Sequence, residues 1–500
     1  MRYNFLLSAL ILFVSNYYLN AQVTFQDTLP KYSFTTVQEF WNQMDDIFND
    51  PNFSNANWGV LIQSLETGEY LYKRNENKLF MPASNLKLFT SSAGLVLLGD
   101  DYKFTTNIFK RGRMDGSTLI GDLVVQGRGD PAISGRFYDN DILKVFNNWA
   151  DTLLEQGIDE ITGNIIGDDN EFDDKGLGEG WEWDYESDWY AAQSSAISFN
   201  DNCIEVTVTP DPKTNQVTVD INPNTKYAVL VNKVSMVEND STTSIDVYRE
   251  RGTNIITIFG SIRKSESPRK LFVTVNNPTQ YTMVVLKEVL ESKGIIIGGF
   301  AIDIDDLSSP IENDELTWLF VHLSPNLREI VKVINKNSQN FFTEQLMKTI
   351  GLEKENYGSI ENGLNACNPV FQEMGIIPEN MNIVDGSGLS RLNLVTPKQI
   401  ISVLNFMYQH KYYLPFYNSL PIAGIDGSLA NRMKGTKAEN NVRAKTGYIG
   451  AVRSLSGYVN TGDNEPVAFS MIANNFIIPL KLAENIQDLV CIRLANLKRK

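Results

Sequence analysis

A chain of 500 residues exceeds what one hydrophobic core of ordinary size holds, so about two to four domains are expected. Its 42% hydrophobic and 21% charged residues are those of a folded globular protein and exclude a chain dominated by disorder. The formal net charge of -16 repels phosphate backbones and anionic membrane surfaces, which argues against nucleic acid as a partner.

The N-terminus carries the three parts of a secretory signal peptide over residues 1–21: Met1-Arg2-Tyr3-Asn4, an apolar run at 5–14, and Leu19-Asn20-Ala21 before Gln22. That run falls short of the ~20 residues of a membrane span. No comparable run follows, and no cysteine follows the cleavage site to carry a lipid. The expectation is an exported, periplasmic protein that starts at Gln22 and has no stable membrane span.

Residues 37–49 have helical spacing, and Trp58-Gly59-Val60-Leu61-Ile62, Thr67-Gly68 and Tyr70-Leu71-Tyr72 read as strand, turn and strand. Pro82-Ala83-Ser84 opens a pattern with Leu86, Ala93 and Leu97 on one helical face and Gly99 as its stop, which puts Ser84 at a helix start. From about 100 to 305 the texture is one of short β-rich runs, such as 121–125, 203–208 and 270–275. A second helical texture is expected from Glu315 to about Tyr413. Strands at 441–449, 452–459 and 466–473 and a helix at 480–497 close the chain. There is no internal repeat or low-complexity tract.

Cys203, Cys367 and Cys491 are odd in number and far apart, so they read as buried free thiols and not as a disulfide framework. His322 and His410 are the only histidines, one in the apolar run Phe320-Val321-His322-Leu323 and one in Gln409-His410-Lys411-Tyr412. Both read as structural. No structural zinc site can be assembled from this set, and a nucleophilic serine here is expected to use a base other than imidazole.

Three short motifs carry chemistry. In Ser84-Asn85-Leu86-Lys87 a spacing of three places both side chains on one helical face, where a desolvated lysine amine can act as base toward the hydroxyl. Ser338-Gln339-Asn340, between helical runs at 327–334 and 341–350, offers a hydroxyl to relay a proton and an amide to hold a backbone. Ser198-Phe199-Asn200 is a rival of the same spacing in a turn-rich region, and Ser338 is preferred. Lys445-Thr446-Gly447, on the strand at 441–449, offers charge and hydroxyl to a carboxylate and room for an added strand. Each alone also reads as a cap, a turn or a bulge.

In this order the three are the set found in penicillin-binding proteins and class A β-lactamases. Further stretches sharpen the resemblance: Gly127-Arg128-Gly129-Asp130-Pro131, Gly163-Asn164-Ile165-Ile166-Gly167-Asp168-Asp169, Tyr190-Ala191-Ala192-Gln193-Ser194-Ser195-Ala196, Asp385-Gly386-Ser387-Gly388-Leu389-Ser390-Arg391-Leu392-Asn393 and Ala423-Gly424-Ile425-Asp426-Gly427-Ser428-Leu429. Over essentially all of the mature chain the sequence resembles the low-molecular-mass class C penicillin-binding proteins, the D-alanyl-D-alanine carboxypeptidase and endopeptidase family.

The resemblance implies an α+β fold, a transpeptidase/β-lactamase-like domain of a five-stranded antiparallel sheet plus a helical cluster, with large β-rich inserted domains. The expected limits are 22–99 and 306–500 for the catalytic domain, 100–200 and 268–305 for an inserted domain, and 201–267 for a second. It implies Ser84 as nucleophile, with Lys87 as its base, although the base is disputed across this class. Ser338 and Lys445 would pass a proton to the leaving D-Ala. Asn340 would position the peptide, Thr446 and Gly447 would contribute to substrate binding, and backbone N–H groups of Ser84 and Tyr448 would form the oxyanion hole. The implied partners are peptidoglycan stem peptides and β-lactam antibiotics, and no metal or organic cofactor is implied. Gln339 stands where Asp is usual. Arg128 and Ser428 stand where Gly and Thr are expected, both judged peripheral. Asp385, Ser387 and Arg391 fit a supporting role or a structural turn equally. A β-lactamase-like hydrolase and a catalytically idle wall-binding module are the alternatives.

Overall fold

The computed structural model describes residues 37–499, so the signal-peptide assignment lies outside the described residues. In the helix Val37–Phe48, Phe40, Met44 and Phe48 recur every four residues and form one buried stripe. That stripe packs on the strand Asn57–Ser64, whose near-continuous run Val60-Leu61-Ile62 is buried on both faces, as a central strand requires. Each such side chain contributes roughly 1.5–3 kcal/mol of burial.

Five strands form an antiparallel sheet, in the order Arg443–Ile449, Val452–Asn460, Pro466–Asn474, Asn57–Ser64, Tyr70–Arg74. Sequence-distant ends of the chain are thus zipped together. One face is covered by Val37–Phe48 and the terminal helix Leu480–Asn496. The other is covered by a helical cluster that includes Lys87–Leu98, Leu327–Lys336, Asn340–Glu355, Ile360–Glu373 and Pro397–Gln409. Arg443–Ile449 lies at the open edge of the sheet.

Inserted between the two chain segments that build this sheet and its helices, Thr105–Asp115 and Thr118–Gly127 form a long hairpin within a seven-stranded sheet. Two three-stranded sheets follow, and the helices Lys144–Glu155 and Pro278–Ser292 share the buried cluster of this insertion. One expectation is corrected. Leu316–Leu323, read as the start of the second helical texture, is a strand paired antiparallel with Thr105–Asp115. Its aromatic and β-branched residues suit a pleated surface, and the hairpin offers it an unpaired edge. Helix begins only at Leu327, after Pro325. Hydrogen bonding therefore carries the inserted sheet past the expected limit at 305 as far as 323. The strand Arg269–Thr274 pairs with Cys203–Asp211, so one sheet also crosses the expected limit at 267.

All three cysteines are buried free thiols, and burial raises the Cys367 thiol to about 12. The His322 ring meets Asp130 and packs edge-on against Trp149, and the His410 ring stacks on Phe406 while accepting the Tyr412 N–H. No helix among the described residues is long and apolar enough to cross a membrane.

Candidate active site

The chain reaches Ser84 through a sharp turn. Ala83 has φ 47°, residues Ala83–Leu86 make a 3-10 turn, and the α-helix Lys87–Leu98 follows, stopped by Gly99 at φ 89°. The expected helix start is thus a 3-10 turn that hands over to α geometry at Lys87. The Asn474 side chain clamps Met81 through its N–H and its carbonyl, and the Ser454 hydroxyl donates to the Pro82 carbonyl. The turn is pinned to the sheet from below.

Lys87 is fully buried, and its Nζ donates to Ser84 Oγ at 3.1 Å, to Asn340 Oδ1 at 2.6 Å and to the Ser387 carbonyl at 2.8 Å. Three segments far apart in sequence therefore meet at one amine. Burial pulls the Lys87 amine down to about 7, against the opposing pull of the Glu344 and Asp385 carboxylates. Near neutral pH a large fraction is uncharged, and an uncharged amine beside a hydroxyl is a base.

The edge strand passes directly over the turn. A Cβ on Gly447 would lie 2.2 Å from Ser454 Oγ, 2.8 Å from the Pro82 carbonyl and 3.0 Å from the Ser84 N, so only glycine permits this approach. The Asn85 amide donates to the Lys445 carbonyl at 3.0 Å and ties the two elements together. Lys445, also fully buried, donates from Nζ to Ser338 Oγ at 2.8 Å and to the Thr446 carbonyl at 2.8 Å. Burial, then the nearby Lys87 and Arg453 charges, push its amine well below the usual lysine range. Tyr448, next along the edge strand, is exposed.

Ser338 sits in a left-handed residue, φ 56°, between the helices Leu327–Lys336 and Asn340–Glu355. Asn340 divides its amide between Lys87 and the Tyr190 carbonyl, the latter at 2.7 Å. The rival Ser198 donates to the Ser195 carbonyl and Asn200 to the Cys203 carbonyl, both within the insertion. Ser338, not Ser198, meets Lys445.

Sequence reasoning missed some neighbours. Glu344, one helical turn after Asn340, is buried and accepts the N–H groups of Gly386 and Ser387, and burial followed by the Asp385 charge raises its carboxyl. The i, i+4 spacing was visible, but nothing local told this residue from a solvated glutamate. Ser428 was judged peripheral, yet its Oγ accepts the Thr446 hydroxyl at 2.7 Å. Asp385 accepts from Gly388 N, Ser390 N, the Asn393 amide and Trp181 Nε1, the bonding of a structural turn. Arg391 pairs with Glu182 and donates to the Gly450 carbonyl at the end of the edge strand. Arg128 bridges Glu171 and Glu353. In the insertion, carboxylates of Asp169, Asp303 and Asp305 lie within 4.8 Å of one another, and the hydroxyls of Ser195 and Thr279 occupy Asp169.

A five-stranded antiparallel sheet, its helical cluster and a serine–lysine pair, its lysine buried, beneath the edge strand define the transpeptidase/β-lactamase-like fold. The chain belongs to the D-Ala-D-Ala carboxypeptidase 3 (S13) family, whose model matches residues 41–497. It is a serine-type D-Ala-D-Ala carboxypeptidase of the low-molecular-mass class C penicillin-binding kind. Over 471 residues it is 33% identical to the D-alanyl-D-alanine carboxypeptidase of Actinomadura sp. (strain R39), covering 92% of this chain and 85% of that one. It is 27% identical over 452 residues to the D-alanyl-D-alanine carboxypeptidase DacB of Haemophilus influenzae, covering 86% and 90%. The crystal structure of penicillin binding protein 4 (dacB) from Haemophilus influenzae superposes with a TM-score of 0.78 at 24% identity, over 91% of this chain and 99% of that one. That likeness establishes the fold.

Proposed function

We propose that Ser84 Oγ attacks the carbonyl of the penultimate D-Ala of a peptidoglycan stem peptide and that Lys87 Nζ takes its proton. The observation that carries this reading is the 3.1 Å contact of the two groups in a pocket that holds the amine near pKa 7. The C–N bond breaks, the leaving D-Ala amine takes a proton through Ser338 and Lys445, and water then hydrolyses the Ser84 ester. Asn340 positions the peptide, which adds to the edge strand beside Gly447. Thr446, backed by the Ser428 hydroxyl, binds the terminal carboxylate together with Lys445. The N–H groups of Ser84 and Tyr448 stabilise the oxyanion, at roughly 3 kcal/mol per donor. β-Lactams take the same path to a slower ester. The protein acts outside the cytoplasm, where this substrate lies, and the leader-like residues 1–21 support export.

Two measurements test the reading. Turnover of purified muropeptides, followed by mass spectrometry, separates release of terminal D-Ala from opening of cross-links; no change in either would sink it. Lys445→Ala is expected to slow D-Ala release by roughly 10- to 100-fold, the worth of a charge-assisted hydrogen bond. Equal rates in mutant and parent would remove Lys445 from the site.

The charge on Lys87 sets the pH dependence. Protonation below about 7 removes the base, so the second-order rate of acylation by benzylpenicillin is expected to rise from pH 5 to pH 8 with a midpoint near 7. A flat profile over that range would contradict Lys87 as proton acceptor.

A further inference from the structure

Between the inserted sheets and the catalytic helices lies a cavity of about 580 Å³, its wall formed in part by Gln339, the residue between Ser338 and Asn340. The volume is that of a ligand cleft. One Asp201 oxygen, Oδ2, accepts both from Arg136 Nε at 2.8 Å and from Gln339 Nε2 at 2.8 Å. The other, Oδ1, is buried and has no partner, and neither has Gln339 Oε1, although Gln339 is only 1% exposed. Both oxygens lie beneath the cavity surface, so a ligand in the cavity does not reach them.

The charges of the wall are already paired. Arg136 faces Asp201, and Lys270 faces Glu205 at 2.8 Å. An ammonium or carboxylate entering here would meet no free counter-charge. Trp189 and Phe272 also line the cavity, 42% and 47% exposed, and present flat apolar rings. Trp189 adjoins Tyr190, whose carbonyl holds the Asn340 amide. Exposed side-chain amides of Asn140, Asn222 and Asn337 on the lining, neutralised charges and exposed rings together suit a ligand that is uncharged, carries hydroxyl and amide groups, and has C–H faces to lie on an aromatic ring.

We propose that this cavity binds an N-acetylated sugar ring of the peptidoglycan glycan strand, so that the enzyme holds the polymer beside the bond it cuts. The proposal rests on the reading of the substrate as a peptidoglycan peptide, with Ser338 and Asn340 on its path.

The test uses the mature chain and a peptide-free probe, the N-acetylglucosamine trisaccharide, titrated by calorimetry. Saturable binding is expected in the parent, weakened at least tenfold in Phe272→Ala and in Trp189→Ala. Phe272→Ala should keep the parent's rate of acylation by benzylpenicillin, since its ring is half exposed on an inserted strand, and that rate also reports an intact fold. No saturable binding by the parent at millimolar trisaccharide, or unchanged binding in both variants, overturns the proposal. A trisaccharide that is inert while Phe272→Ala weakens a glycan-free D-Ala peptide would put peptide in the cavity and overturn it equally. Failure of the peptidase reading shows itself separately, as a missing penicillin adduct, and leaves the titration to stand on its own.

Discussion

Lys87→Met is expected to slow D-Ala release by about 10³-fold or more while the protein still folds, because a positioned general base contributes roughly 10²–10⁴-fold. Methionine matches the length of the buried lysine stem and refills its volume, so no large cavity opens. What it removes is the amine. Asn340 Oδ1 and the Ser387 carbonyl then lose their donor, at about 1–3 kcal/mol each, so a lower thermal midpoint is expected beside the kinetic loss. Lys87→Arg separates charge from basicity, since a guanidinium can donate to the same acceptors but stays protonated throughout the working pH range. It should be as inactive as the methionine variant. Steady-state rates on a D-Ala-D-Ala peptide decide the matter, and retention of activity within tenfold by either variant would move the proton to another group.

The site was legible in the sequence to the extent that its contacts are local or follow from a strand's position. Ser84 and Lys87 are three residues apart, and that spacing delivers the 3.1 Å contact even though the first turn is 3-10. Lys445-Thr446-Gly447 could be placed on a strand from its flanks, and the edge position of Arg443–Ile449 gives the glycine its close approach. The rest depends on pairings between distant segments. Glu344 is set apart from a surface glutamate only by Gly386 and Ser387, some forty residues on, and Ser428 gains its place only once Thr446 lies beside it. Leu316–Leu323 was misread because a short run of Leu, Trp, Phe and Val satisfies either period. The edge of a hairpin two hundred residues earlier decided for strand.

Those same distant contacts shape the expected fate of a β-lactam. Benzylpenicillin is expected to acylate Ser84, since its strained amide mimics the D-Ala-D-Ala terminus and needs the same nucleophile and base. Attack opens the ring, but the nitrogen stays tethered to the acyl group and cannot diffuse away. Release then requires a water activated by a second base. The two carboxylates whose charges act on Lys87 are poorly suited to that task. Glu344 is held by the N–H groups of Gly386 and Ser387, and Asp385 by three donors of its own turn and by Trp181 Nε1 from the insertion. The ester should therefore outlast a peptide turnover by orders of magnitude and survive denaturation. Intact-protein mass spectrometry should show one added drug mass, located by digestion to the peptide that contains Ser84. Ser84→Ala should lose both this adduct and D-Ala release, with little change in stability, because the hydroxyl is hydrogen-bonded to Lys87, which keeps Asn340 and Ser387 as partners. An adduct on any other residue, or full activity in the mutant, would overturn the assignment of Ser84 as nucleophile.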